Sequence, residues 1–169
     1  MTTDVRRVIA GALTLLTLAI QLTAQSVRNQ SYVWFGQVVA YNAGSKTVTV
    51  KVPYREHINR YIGEFKPGDK VKLTWATPQP GETDAIIYVG RYDASSGKWG
   101  YVLPVEFVAA NTTERWLTFS ARVPSNALDT LKTVPSGGWI KVTTPFEQPN
   151  DTAAIDKIEA TDGPRSPSA

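Results

Sequence analysis

The sequence predicts an all-β fold with short helices, built as two tandem β-barrel repeats behind an N-terminal signal peptide, and three observations predict it. Thr47 to Pro53, TVTVKVP, alternates Val48, Val50 and Val52 with Thr and Lys, the period-two pattern of a strand with one face on a core. A near-copy, TFSARVP, returns at Thr118 to Pro124, with Phe119, Ala121 and Val123 inward and a Pro again closing the strand. The ends differ from the middle: an apolar leader opens the chain and a polar, Pro-rich stretch closes it.

In the leader, Arg6-Arg7 supplies a positive region, Val8 to Leu22 an apolar run, and Leu22-Thr23-Ala24 a small-residue cleavage site. The run is short for a hydrocarbon core of ~30 Å and carries Thr14, Thr17 and Gln21, which argues against an anchor. Residues 1–24 are therefore expected to be a cleaved signal peptide, the mature chain to start near Gln25, and the protein to be secreted or periplasmic without a transmembrane segment. Losing Asp4, Arg6 and Arg7 moves the formal charge from +3 to +2, too small for an obligate polyanion binder. With no cysteine, a disulfide framework and thiolate-bound zinc are excluded. Residues 161–169, TDGPRSPSA, have the composition of a disordered tail.

Between these ends the elements follow in order. Ser31 to Tyr41 is a long aromatic and β-branched strand in which Gly36 is expected to mark a bulge, and Asn42 to Lys46 is a hairpin turn. Tyr54, Ile58, Tyr61 and Ile62 have the spacing of one helical face, with Gly63 at its C-terminal cap. Lys66-Pro67-Gly68-Asp69 is a turn, and Val71, Leu73 and Trp75 alternate with polar residues as a half-buried strand. A loop over Thr77 to Thr83 leads to Ala85 to Arg91, whose apolar character on both faces predicts a central or doubly covered strand.

The same order then repeats, dividing the chain into repeat 1 at 31–93 and repeat 2 at 98–160. Val38 to Asn42 corresponds to Phe107 to Asn111 at an offset of 69 positions. Aligning TVTVKVP with TFSARVP raises the offset to 71, as though the second turn were two residues longer. A second helix starting at Ser125 and using Leu128 and Leu131 is two residues shorter, so Val71 to Thr74 matches Ile140 to Thr143 at 69 again. Through Gly36-Gln37-Val38, Thr47 to Val50, Phe65 to Val71 and Ala85-Ile86-Ile87, the pattern resembles the small OB-like β-barrel repeats of exported bacterial proteins, domains of unknown function. The resemblance covers repeat 1 well and repeat 2 loosely, where Gly68-Asp69 becomes Gly137-Gly138. It implies a fold and no catalytic residues. Only four strands per repeat are counted where an OB barrel has five, so either two strands are merged around Pro53 or the repeats lend strands to each other.

The chemistry is sparse. The single imidazole, His57, sits mid-helix and reads as a surface or packing residue; no G-x-S-x-G, phosphate loop or paired-His spacing occurs. Asn150, Asp151 and Asp156 lack the spacing of a calcium loop and read as turn formers. No cofactor or metal is implied. Aromatic residues stand out, Trp34, Trp99, Trp116 and Trp139 among them. The joint between repeats, 85–104, is expected to be a β-hairpin with Ser95-Ser96 at its tip. Tyr92 then faces Trp99, Gly90 faces Tyr101 and Tyr88 faces Leu103. That hairpin displays Tyr88, Tyr92, Trp99 and Tyr101, flanked by Arg91 and Lys98, as a candidate ligand-binding face. The expected function is a non-enzymatic binding or assembly module of the cell envelope with a protein or glycan partner. OB-type binding of single-stranded nucleic acid is the alternative, disfavoured by export and the small charge; a small secreted hydrolase ranks below it.

Overall fold

The computed structural model describes residues 31–75, 86–92, 102–145 and 155–164, all within one compact unit that begins at Ser31. The expected signal peptide, the loop Thr77 to Thr83, the tip of the expected hairpin, Asn150, Asp151 and residues 165–169 lie outside the described residues. The chain is all-β with short helices. Strands β1 (Ser31–Asn42), β2 (Thr47–Pro53), β3 (Lys70–Trp75), β4 (Ile86–Arg91), β5 (Val102–Asn111), β6 (Trp116–Arg122), β7 (Trp139–Pro145) and β8 (Lys157–Thr161) form one eight-stranded sheet. Every ladder in it is antiparallel, and the order is β4-β3-β5-β6-β2-β1-β7-β8.

That order is the same from either edge when β1–β4 are matched to β5–β8: fourth, third, then the first and second strands of the other segment. The sheet is thus not divided between 31–93 and 98–160. Strands β3 and β4 join β5 and β6, while β7 and β8 join β1 and β2, so each half of the sheet takes strands from both segments. Alternation in the sequence says which face of a strand is buried; it does not say which strand lies beside it.

The pairing registers of the two halves are related by a shift of 69 residues. Asn42 opposite Thr47 recurs as Asn111 opposite Trp116, Val71 opposite Arg91 as Ile140 opposite Ala160, and Trp34 opposite Val142 as Leu103 opposite Leu73. The ladders β1–β2 and β5–β6 are each interrupted once, leaving Val39 and Val108 as the extra residues. In the turns, Lys46 and Arg115 have φ of 52° and 57°, and Gly68 and Gly137 of 94° and 81°. The Asn42 carboxamide accepts the N–H of Ser45 at 3.0 Å, and that of Asn111 accepts the N–H of Glu114 at 3.0 Å. Gly68 N–H donates to Phe107 O and Phe107 N–H to Asp69 O; Gly137 N–H donates to Val38 O and Val38 N–H to Gly138 O. The axis relating the halves runs through the central β2–β6 ladder, where Val50 faces Phe119, its own counterpart.

The two hairpin turns are therefore equal in length, and the 71-residue alignment of the central strands is corrected to 69: Thr47 stands with Trp116 and Pro53 with Arg122. A slip of two leaves every side chain on its face, so burial alternates equally well in either alignment.

Other expectations also change. β3 lies between β4 and β5, which consequently run parallel, and parallel strands cannot be joined by a two-residue hairpin turn. Tyr88 faces Thr74, Gly90 faces Lys72, and Leu103 faces Leu73. β4 is an edge strand, not a central one. Gly36 lies within the regular β1–β7 ladder rather than at a bulge, and a Cβ there would stand 3.3 Å from the Trp34 ring, so its bareness makes room for that ring. The first helix is a pair of 3-10 turns, Glu56–Arg60 and Ile62–Glu64, which bury Ile58 and Ile62 as the spacing predicts, with Gly63 inside the second turn. The second is the α-helix α1 (Ala127–Thr133), with Leu131 buried and Leu128 half-buried. Thr161 ends β8 and Gly163 is buried beside Trp139, so ordered structure extends into the stretch read as a tail.

All inward side chains meet in one core, centred on Trp34, whose ring stacks on Trp75 at 5.0 Å and lies 5.9 Å from Phe119. The sheet curls enough to bring β4 to the end of β2: Tyr54 and Ile86 form a parallel bridge, and Arg55 N–H donates to Ile86 O at 2.9 Å. In the other half Pro124 stands in place of Arg55 and has no N–H to give.

Candidate functional site

The sequence-predicted face divides. Lys98, Trp99 and Tyr101 lie outside the described residues. On β4, Tyr88 is 45% exposed on the outer side, its ring lying over Gly90, where an added Cβ would come within 2.7 Å of ring carbons. This covers backbone that glycine leaves bare on an edge strand. Arg91 is opposite Val71, whose side chain is buried, so it emerges on the other side of the strand from Tyr88. Its guanidinium lies 5.8 Å from the Phe65 ring centre and 4.0 Å from Asp69. Tyr92 is half-buried and donates its N–H to Lys70 O at 3.0 Å. Tyr88 and Arg91 thus do not share one face.

His57 is exposed and its Nε2 is 2.8 Å from Ile87 O. A carbonyl only accepts, so the proton is on Nε2 and this nitrogen is occupied in tying the 3-10 turn to β4. Beside it, Glu56, His57, Asn59 and Arg60 line an open cavity of about 480 Å³, with Glu56 also 3.8 Å from Arg115. Among the described residues no hydroxyl or thiol lines that cavity to serve as a nucleophile. Among the described residues no group of three His, Asp or Glu side chains could hold a metal ion.

A second surface, not assembled from the sequence, lies on the outer face of the central strands. In β6, Trp116, Thr118 and Ser120 alternate with buried Leu117, Phe119 and Ala121; in β7, Trp139, Lys141 and Thr143 alternate with buried Ile140, Val142 and Thr144. Although β2 and β1 separate their strands, the two tryptophan rings meet with centres 6.2 Å apart at 53°. Lys51 lies over one of them, its Nζ 4.6 Å from the centre of the Trp116 ring and 3.8 Å from Glu114. Trp139 rests on Gly163, and half-buried Phe35 lies opposite Lys141. At the margin, Glu159 accepts from Lys157 at 2.9 Å and lies 3.4 Å from Lys141; the hydrogen bond from Lys157 chiefly holds its carboxyl below the usual range.

The positions 69 residues away carry a different surface on the same backbone. Trp116 is replaced by Thr47, Trp139 by Lys70, Gln37 by Glu106 and Phe35 by Pro104, and Lys70 Nζ pairs with Glu106 Oε2 at 2.7 Å. The signal for the tryptophan pair was present in the sequence, since each Trp has the outward parity of its strand. What the sequence lacked was the exchange of strands that brings the two together. The chain matches no family model, no curated protein and no solved structure.

Proposed function

We propose that the protein is an exported, non-enzymatic binding or assembly module of the cell envelope, its contact surface the outer face of Trp116 and Trp139. The observation that carries this is the difference between matched places of one backbone: at 116 and 139 two tryptophan rings meet with Lys51 over one of them, whereas 69 residues away stand Thr47 and Lys70, the latter in a solvated ion pair with Glu106. Large rings left partly accessible on a sheet, with a few polar groups around them, suit recognition better than stability. In this reading the two OB-like units correspond to the halves β4-β3-β5-β6 and β2-β1-β7-β8, the 69-residue spacing reflects an internal repeat, and the leader directs export. The ligand is a protein surface first and a glycan second. Nucleic acid is not favoured, because Lys51, Lys70, Arg115 and Lys141 each stand beside a carboxylate instead of forming a bare cationic track. The test is titration of the mature protein with envelope glycan fragments and, separately, with purified envelope proteins, followed by tryptophan fluorescence. Binding that W139A lowers at least tenfold with an unchanged melting temperature supports the assignment; equal binding by the variant removes it.

A further inference from the structure

We propose that residues 31–92 and 102–164 associate as two-fold partners in their own right, so that the partner this sheet fits is a second copy of the same chain, exchanging segments into an intertwined dimer. Within 31–92 the ladders β1–β2 and β3–β4 form, but they are not adjacent in the sheet, and the same holds for β5–β6 and β7–β8. What unites them are three ladders that cross between segments: β2–β6, β1–β7 and β3–β5. In 102–164 the two pairs share no ladder, and in 31–92 they are joined at the end of β2 by the Tyr54–Ile86 bridge and the Arg55–Ile86 hydrogen bond rather than by a ladder. The β2–β6 contact places like against like, Val50 on Phe119 at the axis, as in an isologous dimer interface. The paired hydrogen bonds of Gly68 and Asp69 with Phe107, and of Gly137 and Gly138 with Val38, also join one segment to the other in both directions. These three ladders lie wholly within the described residues on either side of the covalent link through 93–101, which holds the partners at high effective concentration.

Geometry supplies the test. Tyr92 bonds to Lys70, which is level with Glu106, whereas β5 begins four residues earlier at Val102, opposite Thr74. Two strand spacings of ~4.8 Å and four residues at ~3.4 Å put Tyr92 and Val102 about 17 Å apart, while a single peptide link spans about 3.8 Å. A chain lacking residues 93–101 cannot close its sheet on itself but can do so with a second copy. Analytical ultracentrifugation of that deletion variant is expected to give a dimer with the far-UV spectrum of the parent; a folded monomer overturns the proposal. A companion full-length variant carries a specific protease site within 93–101 and is cut after folding. The two pieces are expected to run together at the mass of the intact chain and to part only in denaturant. Separation in native buffer overturns the proposal even where the deletion variant fails to fold.

Discussion

The half β4-β3-β5-β6 and the half β2-β1-β7-β8 share the registers of their matched pairs, the bulges at Val39 and Val108 and all four turn residues of positive φ that fall in matched positions, yet they differ in a register shift at Thr74/Trp75 of the β3–β4 ladder, in core chemistry, in closure and on the outside. In the core, Trp34 and Thr144 occupy the places held by Leu103 and Trp75 in the other half. In closure, Tyr54 and Arg55 tie β2 to β4, where Val123 and Pro124 leave no such bridge. Outside, Trp139 and Gln37 of one half stand where the other half has the Lys70–Glu106 ion pair. Features present in both halves are what the backbone requires; those present in one only are free for another purpose. The molecule thereby contains its own control.

The largest break in the comparison is expected at Trp34. It is fully buried, stacks on Trp75 and donates Nε1–H to Thr144 Oγ1 at 2.8 Å. Trp34→Ala should lower stability by about 3–5 kcal/mol, and it also leaves the buried Thr144 hydroxyl without its donor. Leu103→Ala, its counterpart, should cost about 2–5 kcal/mol, falling below the Trp34 variant because no polar partner is stranded. Urea denaturation of both variants against the parent measures the gap; equal losses would show that the hydrogen bond adds nothing.

Next come the turns, where the halves should respond alike. Gly68 and Gly137 both have positive φ and open space where a Cβ would stand, so only backbone strain opposes a side chain. Each Gly→Ala change should cost about 1–2 kcal/mol, and the two melting-temperature shifts should agree. A large effect at one and none at the other would mean that the matched backbone angles do not carry matched weight.

Much of this was legible in the sequence because it is local. Period-two alternation marked β2, β3 and β6, aromatic and β-branched composition marked β1, Asn42 and Gly68 marked turns, and the spacing of Ile58 and Ile62 identified the side of the intervening segment that is buried. Pairing was not legible, because it is decided by segments far apart in the chain. The hairpin expected over 85–104 gathered favourable neighbours for Tyr88 and Gly90, but those local gains lose to β3, which inserts Val71 and Leu73 between β4 and β5 and buries both. The same blindness hid the tryptophan surface. Trp116 and Trp139 come from different ladders and meet only because β6, β2, β1 and β7 are consecutive in the sheet.

Tyr54 sharpens the comparison through pH. Its phenol is buried, donates to Asn59 Oδ1 at 2.7 Å, and is pushed above the ordinary tyrosine range by burial, with Arg115 acting the other way. A raised folded-state value means that its contribution is complete below the unfolded pKa of about 10 and is lost as pH rises through the folded one. Val123, at the matched position, has nothing to ionise. Tyr54→Phe should therefore flatten the alkaline limb of the stability profile while costing about 1 kcal/mol at neutral pH, read from urea melts between pH 7 and 11. An unchanged alkaline limb would assign it to other tyrosines.

The smallest effect is expected where the argument for function is most exposed. Lys70 and Glu106 make a 2.7 Å ion pair, but their side chains are 67% and 46% exposed. Solvent screens such a pair to about 0–1 kcal/mol. Exchanging it for the residues of the other half, Lys70→Trp with Glu106→Gln, should leave stability within about 1 kcal/mol of the parent, because both side chains are largely exposed. That outcome would establish that the backbone tolerates either pair, so Trp139 is not there to hold the sheet. A loss of several kcal/mol in the double variant would instead tie each outer face to its own half, and the difference between the halves would then no longer point to a binding surface.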